Sequence, residues 1–215
     1  MSSETPRTRG LLMMVVAPSG VGKTSLTRRL VADHSDLMLS ISATTRQPRP
    51  GEHEGRDYHF VDRTEFDAMI GENAFLEWAE VYGNRYGSPR KPIMAALDRG
   101  ESVLFDIDYQ GTQQVRKKAG ADTVTIFILP PSMRELRARL ERRAEDSADV
   151  ISKRLDNARH EIERWKMYDY VIVNEDVQRA LSEVKAILLA EQMKRARSEK
   201  GINDFVAQLL AEERT

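Results

Sequence analysis

The run Ala17-Pro18-Ser19-Gly20-Val21-Gly22-Lys23-Thr24 has the residue types and spacing needed to hold a chain of phosphates. Gly20 and Gly22 let the backbone fold tightly, so that successive N–H groups can point at phosphate oxygens. A helix opening near Lys23 would add unpaired N–H groups and the positive end of its dipole. Lys23 brings a mobile positive charge for terminal phosphates, and the Thr24 hydroxyl is a ligand for Mg²⁺. All eight residues are therefore candidates for binding a nucleoside triphosphate such as ATP, although Ala17 stands where the usual pattern has its first Gly. A glycine turn that binds nothing is the alternative. The apolar run Leu11 to Val16 before the turn, and the helical pattern after it, favour the phosphate reading.

Phosphoryl transfer needs further positive charge, and Arg supplies it best, because its planar fork binds phosphate oxygens in pairs and never loses its proton. Two clusters qualify, Arg46/Arg49 and Arg139/Arg143/Arg154. Asp106 and Asp108 sit at the end of an apolar run, where carboxylates can serve a metal ion or a substrate N–H. No Asn-Lys-x-Asp element of the kind that reads guanine in switch GTPases is present, so a nucleotide-transferring kinase is the better reading. Arg134, Arg137 and Arg142 read as a solvated helix face, and the four histidines show no ligand spacing.

The elements that must position these groups follow from hydrophobic periodicity. Leu11–Val16, Leu37–Ser42, Ser102–Ile107, Thr123–Leu129 and Tyr170–Asn174 read as strands. Helices follow the phosphate loop, run from Ser132 through Leu140, from Ile151 to Trp165 and from Val177 through Leu188. Strands alternating with amphipathic helices predict an α/β fold with a five-stranded parallel sheet covered by helices. Ligands would lie at the carboxyl ends of those strands. Ala43–Asp57 reads as irregular and too polar for core, and Ala144–Asp149 as a loop. Between these, Tyr58–Val61, Phe75–Val81 and a stretch entered through Asn84–Gly87 read as short strands of an inserted, mixed α+β lobe. Asp62 with Glu65, and Ser132 with Glu135, have capping-box spacing. Trp78 and Trp165 read as core, and Gly201 as a break before a short amphipathic tail.

The 215 residues are 40% hydrophobic and 31% charged, with a net charge of -1. That balance speaks against a general nucleic-acid or membrane partner. Cysteine is absent, which excludes a thiolate nucleophile and a Cys-based zinc site. Arg7 and Arg9 before Leu11–Ala17 mimic a short signal peptide, but the apolar run leads straight into the phosphate loop. The expectation is a cytoplasmic protein, with a homo-oligomer left open.

Several motifs, taken in order, closely resemble guanylate kinase. These are the phosphate loop, Ser42-Ala43-Thr44-Thr45-Arg46-Gln47-Pro48-Arg49, Gly55-Arg56-Asp57-Tyr58, Phe75-Leu76-Glu77-Trp78 and Tyr86-Gly87-Ser88. Asp106-Ile107-Asp108-Tyr109-Gln110-Gly111 and Val171-Ile172-Val173-Asn174 complete the set, so that the resemblance spans about Leu11 to Leu189 and is closest to the bacterial form. It implies a P-loop NTPase fold with a core at 10–42, 99–131 and 156–192, a GMP-binding lobe at 43–98 and a helical lid at 132–155. Residues 193–215 form a tail of unassigned role. It also implies ATP and GMP as substrates, with Mg²⁺ accompanying ATP. Ser42, Glu77, Ser88 and Asp108 would read guanine, while Arg46, Arg49, Tyr58 and Tyr86 would hold the GMP phosphate. Lys23, Arg46, Arg139, Arg143 and Arg154 would act on the transferring phosphoryl group. Thr24 and Asp106 would serve Mg²⁺, and Asn174 would lie near adenine. Two rivals remain: a catalytically inactive guanylate-kinase-like interaction module, and a kinase of sugar phosphates. The intact Gly22, Lys23 and Thr24 disfavour the first, and the guanine-reading set disfavours the second.

Overall fold

The computed structural model describes residues 9–81, 83–142 and 147–212. Strands β1 (Leu12–Val16), β2 (Leu37–Leu39), β7 (Ser102–Phe105), β8 (Thr123–Leu129) and β9 (Tyr170–Val173) form a parallel sheet in the order β2-β7-β1-β8-β9. All five residues of β1 are buried, because helices cover both faces of the sheet. Met13 and Val15 face a core built with α1 (Lys23–Asp33), α5 (Met133–Glu141), α6 (Ala148–Ile162) and α7 (Val177–Gln192). Leu12 and Met14 point the other way, toward α3 (Arg90–Asp98) and α4 (Tyr109–Ala119). Ile93, Ala96 and Leu97 of α3 thus pack into the main core, although they fall within the segment 43–98.

A second sheet, in the order β4-β3-β6-β5, comprises β3 (Ala43–Thr44), β4 (His59–Phe60), β5 (Phe75–Val81) and β6 (Asn84–Pro89). Its two faces have opposite characters, as the pairing register dictates. Ala43 pairs with Gly87 and Gly87 with Trp78, so these three share one face. There they meet Phe66 of α2 (Arg63–Gly71), whose ring stacks on Phe75 at 4.6 Å between centroids. A β-bulge at Leu76 makes this possible, since Phe75 pairs with Pro89 while Glu77 already pairs with Ser88. The bulge turns Phe75 into the lobe core, Leu76 into the main core, and Glu77 to the other face.

The predicted N-caps form: Asp62 accepts the Glu65 N–H at 2.8 Å and Ser132 the Glu135 N–H at 3.1 Å. Other expectations need correction. The second strand ends at Leu39 rather than Ser42, because after Ser40 donates its N–H to Leu104 the chain crosses to the second sheet. Ala43 and Thr44, within the stretch read as too polar for core, are fully buried strand residues. Ala148 and Asp149 open α6 instead of belonging to a loop. Trp165 is 43% exposed, because α6 stops at Ile162 and a 3-10 turn carries Trp165 out of phase with the buried face. Gly201 does not interrupt the tail; α8 (Arg195–Glu212) runs through it and exposes Phe205 and Leu209. Among the described residues no helix is long and apolar enough to cross a membrane.

Candidate active site

The donor side forms where β1 gives way to α1. Gly20 and Gly22 adopt φ of 90° and 106°, conformations that L side chains rarely take. A Cβ on Gly20 would lie 2.8 Å from Leu140 of α5, so the loop packs directly on that helix. Asn174, buried at the end of β9, donates its amide N–H to the Val21 carbonyl at 2.7 Å. Arg139 reaches the same carbonyl at 3.1 Å and the Asn174 carbonyl at 3.2 Å. These contacts fix the Val21 carbonyl from two sides, while the Val21 N–H closes the turn on the Pro18 carbonyl at 3.3 Å. The Asn174 side chain therefore holds the phosphate loop, and it lines a cleft of about 350 Å³ beside Gly22 and Arg139.

Lys23 forms an ion pair with Asp106, which follows β7. Both line a cleft of about 460 Å³ together with Asp108, Glu161, Arg164 and Tyr168. Burial raises the Glu161 carboxyl above its usual range, opposed by the nearby Lys23 and Arg164 charges. Thr24 is exposed in the first turn of α1. Among the described residues no group of three or more acidic or histidine side chains could hold a metal by itself. Thr24 offers a hydroxyl and Asp106 a carboxylate, hard oxygen donors of the kind that suits Mg²⁺ completed by phosphates and water.

The acceptor side lies on the polar face of the second sheet. β3 runs parallel to β4 with Ala43 opposite His59, and antiparallel to β6 with Ala43 opposite Gly87. One step back along β3, that register sets Ser42 opposite both Tyr58 and Ser88, and Ser88 in turn faces Glu77. Four residues separated by up to 46 positions thus share one rung and one face. Ser88 donates its hydroxyl to Glu77 Oε1 at 2.5 Å, and Glu77 is only 4% exposed. Burial is the main cause raising the Glu77 carboxyl above its usual range; the Ser88 bond opposes it and the Asp108 charge reinforces it. Asp108 caps α4 by accepting the Gly111 N–H at 2.9 Å.

Gly111 has a direct steric reason. A Cβ there would fall 2.9 Å from Glu77 Oε2 and 3.2 Å from the Ile107 Cβ. Gly111→Ala should displace the carboxylate, and the resemblance to guanylate kinase then implies a KM for GMP about tenfold higher with KM for ATP unchanged. Initial-rate kinetics with each substrate varied in turn checks this.

Arg46, Tyr58 and Tyr86 also come together. The Arg46 guanidinium sits 5.3 Å from the Tyr58 ring centroid, and the two tyrosine rings meet edge-on at 6.0 Å. Glu52 accepts from Arg46 at 2.8 and 3.0 Å and from the Arg49 N–H at 2.7 Å, which ties the two arginines together. The Arg49 side chain itself is exposed. Arg154 is half-buried on α6, while Arg143 lies outside the described residues.

Sequence reasoning missed Glu52, Glu161 and Arg164. Glu52 was findable as an acid three residues after Arg49 in an arginine-rich stretch, and Glu161 as a carboxylate beside the apolar Ile162 face of α6. Nothing local marks Arg164, whose guanidinium covers the Tyr109 ring at 4.7 Å across the cleft.

A phosphate loop at the carboxyl edge of a five-stranded parallel sheet, facing a second lobe with a buried carboxylate and paired arginines, defines a P-loop phosphotransferase. The sequence model of the guanylate kinase family matches residues 9–191. Guanylate kinase of Caulobacter vibrioides is 63% identical over 205 residues, 95% of this chain and 96% of the relative. That of Bradyrhizobium diazoefficiens is 54% identical over 189 residues, 88% and 86% of the two chains. Crystalline guanylate kinase from Anaplasma phagocytophilum superposes with a TM-score of 0.71 at 40% identity, covering 89% of this chain and 90% of that one. The chain belongs to the guanylate kinase family.

Proposed function

We propose that this enzyme transfers the γ-phosphoryl group of ATP to GMP, giving ADP and GDP, as a cytoplasmic step of purine nucleotide metabolism. The observation that carries this reading is the buried Glu77 carboxylate on one rung with Ser42 and Ser88. Guanine presents N1–H and an exocyclic amine as adjacent donors, and a carboxylate can accept both. Asp108 accepts a further N–H, Ser42 donates to O6 or the ring edge, and Ser88 gives its hydroxyl proton to Glu77 and so holds the reading carboxylate. Adenine lacks the donor pair and would leave Glu77 desolvated without compensation, which is how a polar site rejects a close analogue. Arg46, Arg49, Tyr58 and Tyr86 hold the GMP phosphate.

Residues Ala17 to Thr24 cradle the ATP phosphates, and Asn174 flanks the adenine side. An oxygen of the GMP phosphate attacks the γ-phosphorus while the bond to the β,γ-bridging oxygen breaks, so ADP leaves with that electron pair. A strong base is unnecessary, because the attacking oxygen is already anionic. Lys23, Arg46, Arg139, Arg143 and Arg154 neutralise the charge gathered on the transferring group. Mg²⁺, held with ATP by Thr24 and Asp106, would supply further neutralisation of the phosphate oxygens. The lobe at 43–98 and the lid at 132–155 enclose the substrates and keep water from the γ-phosphate. Phosphorus NMR of a mixture with ATP, GMP and Mg²⁺ tests this directly. GDP and ADP should appear in equal amounts; free phosphate and ADP without GDP would refute the transfer, and no turnover would favour the inactive module.

A further inference from the structure

The guanine-reading strand β5 lies at an edge of its sheet, with the outward backbone groups of that edge in need of partners. One helix of the main core supplies them. Asp108, Gly111, Gln114 and Lys118 recur at helical spacing along α4 and form a single stripe against Phe75–Trp78. Gln114 makes two bonds to the backbone of one residue: its Oε1 accepts the Trp78 N–H at 3.2 Å, and its Nε2 donates to the Trp78 carbonyl at 2.9 Å. Lys118 donates to the Phe75 carbonyl at 3.0 Å. Gly111 leaves just enough room for the Glu77 carboxylate between them. The two polar contacts bracket the bulge at Leu76, the backbone irregularity that turns Glu77 toward the site.

We propose that Gln114 is a positioning residue for base recognition, acting through the Trp78 backbone to set the height and direction of the neighbouring Glu77 carboxylate. Its side-chain amide substitutes for a missing strand partner at the single rung next to the reading residue. A fixed mount matters here because a carboxylate accepting two adjacent N–H groups tolerates little displacement. Lys118 supports the same bulge from its other side. The inference rests on Glu77 reading guanine, as proposed above.

The test compares GMP with IMP, which keeps N1–H and lacks the exocyclic amine. Gln114→Met keeps the length and apolar body of the side chain and removes both hydrogen bonds. With ATP saturating, kcat/KM for GMP should fall about tenfold and that for IMP about twofold, which narrows the preference for GMP about fivefold. KM for ATP should stay unchanged, and kcat at saturating GMP should fall less than about threefold. Lys118→Met should shift the preference in the same direction by a smaller factor, and thermal melting confirms that each variant is folded. An unchanged GMP-to-IMP ratio overturns the inference, whether both substrates are unaffected or both weaken equally. Glu77→Gln is run in parallel to keep two failures apart. A narrowed ratio in Glu77→Gln with none in Gln114→Met rejects only the positioning role. An unchanged ratio in Glu77→Gln rejects the base-reading role and the inference together.

Discussion

Replacing Lys23 by Ala is expected to lower kcat about 10³-fold or more, with KM for GMP changed less than about threefold. Lys23 opens α1 directly behind the phosphate loop and pairs with Asp106. In the proposed mechanism its ammonium neutralises the triphosphate, so its loss removes a donor aimed at charge that grows during transfer. The loss also leaves the Asp106 carboxylate facing the phosphates without its partner. Lys23→Arg should not restore activity, because a broad planar fork cannot replace a compact point charge within the loop. The Lys23 ion pair is partly solvated, its partner Asp106 being 45% exposed, so the melting temperature should move little. Stopped-flow or coupled-assay kinetics beside a melting curve separates the catalytic loss from any folding defect.

Glu77→Gln should act in opposite directions on binding and on stability. The Gln amide can turn a donor toward guanine's own donors, so KM for GMP should rise about 10²-fold. The ligand-free protein, by contrast, should gain stability. The Glu77 carboxyl is raised in the folded state, chiefly by burial. A group of that kind contributes stability that is fully present below its unfolded pKa and is lost as pH rises through its folded pKa. Wherever the carboxyl is ionised in the fold it is thus a cost to stability, and Gln removes it. The melting temperature of the Gln variant should therefore lie above that of the wild type. The same linkage predicts the pH profile. In the wild type, kcat/KM for GMP should fall on the acid side at a pH above that of an ordinary glutamate, and the Gln variant should lack that limb. A variant that weakens GMP binding without gaining stability would place the cost of Glu77 elsewhere than in its burial.

The donor side of this site was readable because it is local. Gly20, Gly22, Lys23 and Thr24 are consecutive, and strand, turn and helix follow directly from residue type. The central strands β1 and β7 were likewise marked by apolar runs, as expected where both faces are covered, while Leu37–Ser42 showed only alternation and edge strand β9 leaves Val171 and Val173 exposed. The acceptor side is a product of long-range register. Tyr58, Ser42, Ser88 and Glu77 share a rung only because β3 is paired on both sides, and β3 is a two-residue strand inside a polar, proline-rich stretch. Periodicity over two residues carries no signal. The bulge at Leu76 is invisible for a related reason, since Phe75-Leu76-Glu77-Trp78 reads as an ordinary strand until its partner is known. Motif resemblance named Glu77, Ser88 and Asp108; it did not supply Glu52, which binds Arg46, or Gln114, which mounts β5. Trp165 misled because helical periodicity was carried past the end of α6, and Gly201 because one glycine in a helix costs only about 1 kcal/mol.

Steady-state production of ADP from ATP and Mg²⁺, with GMP, IMP, AMP, UMP and CMP offered in turn, tests the central claim most directly. A site built around a buried carboxylate should give kcat/KM for GMP at least about 10³-fold above that for AMP, UMP or CMP, with IMP between. Equal turnover of AMP or UMP and GMP would contradict it.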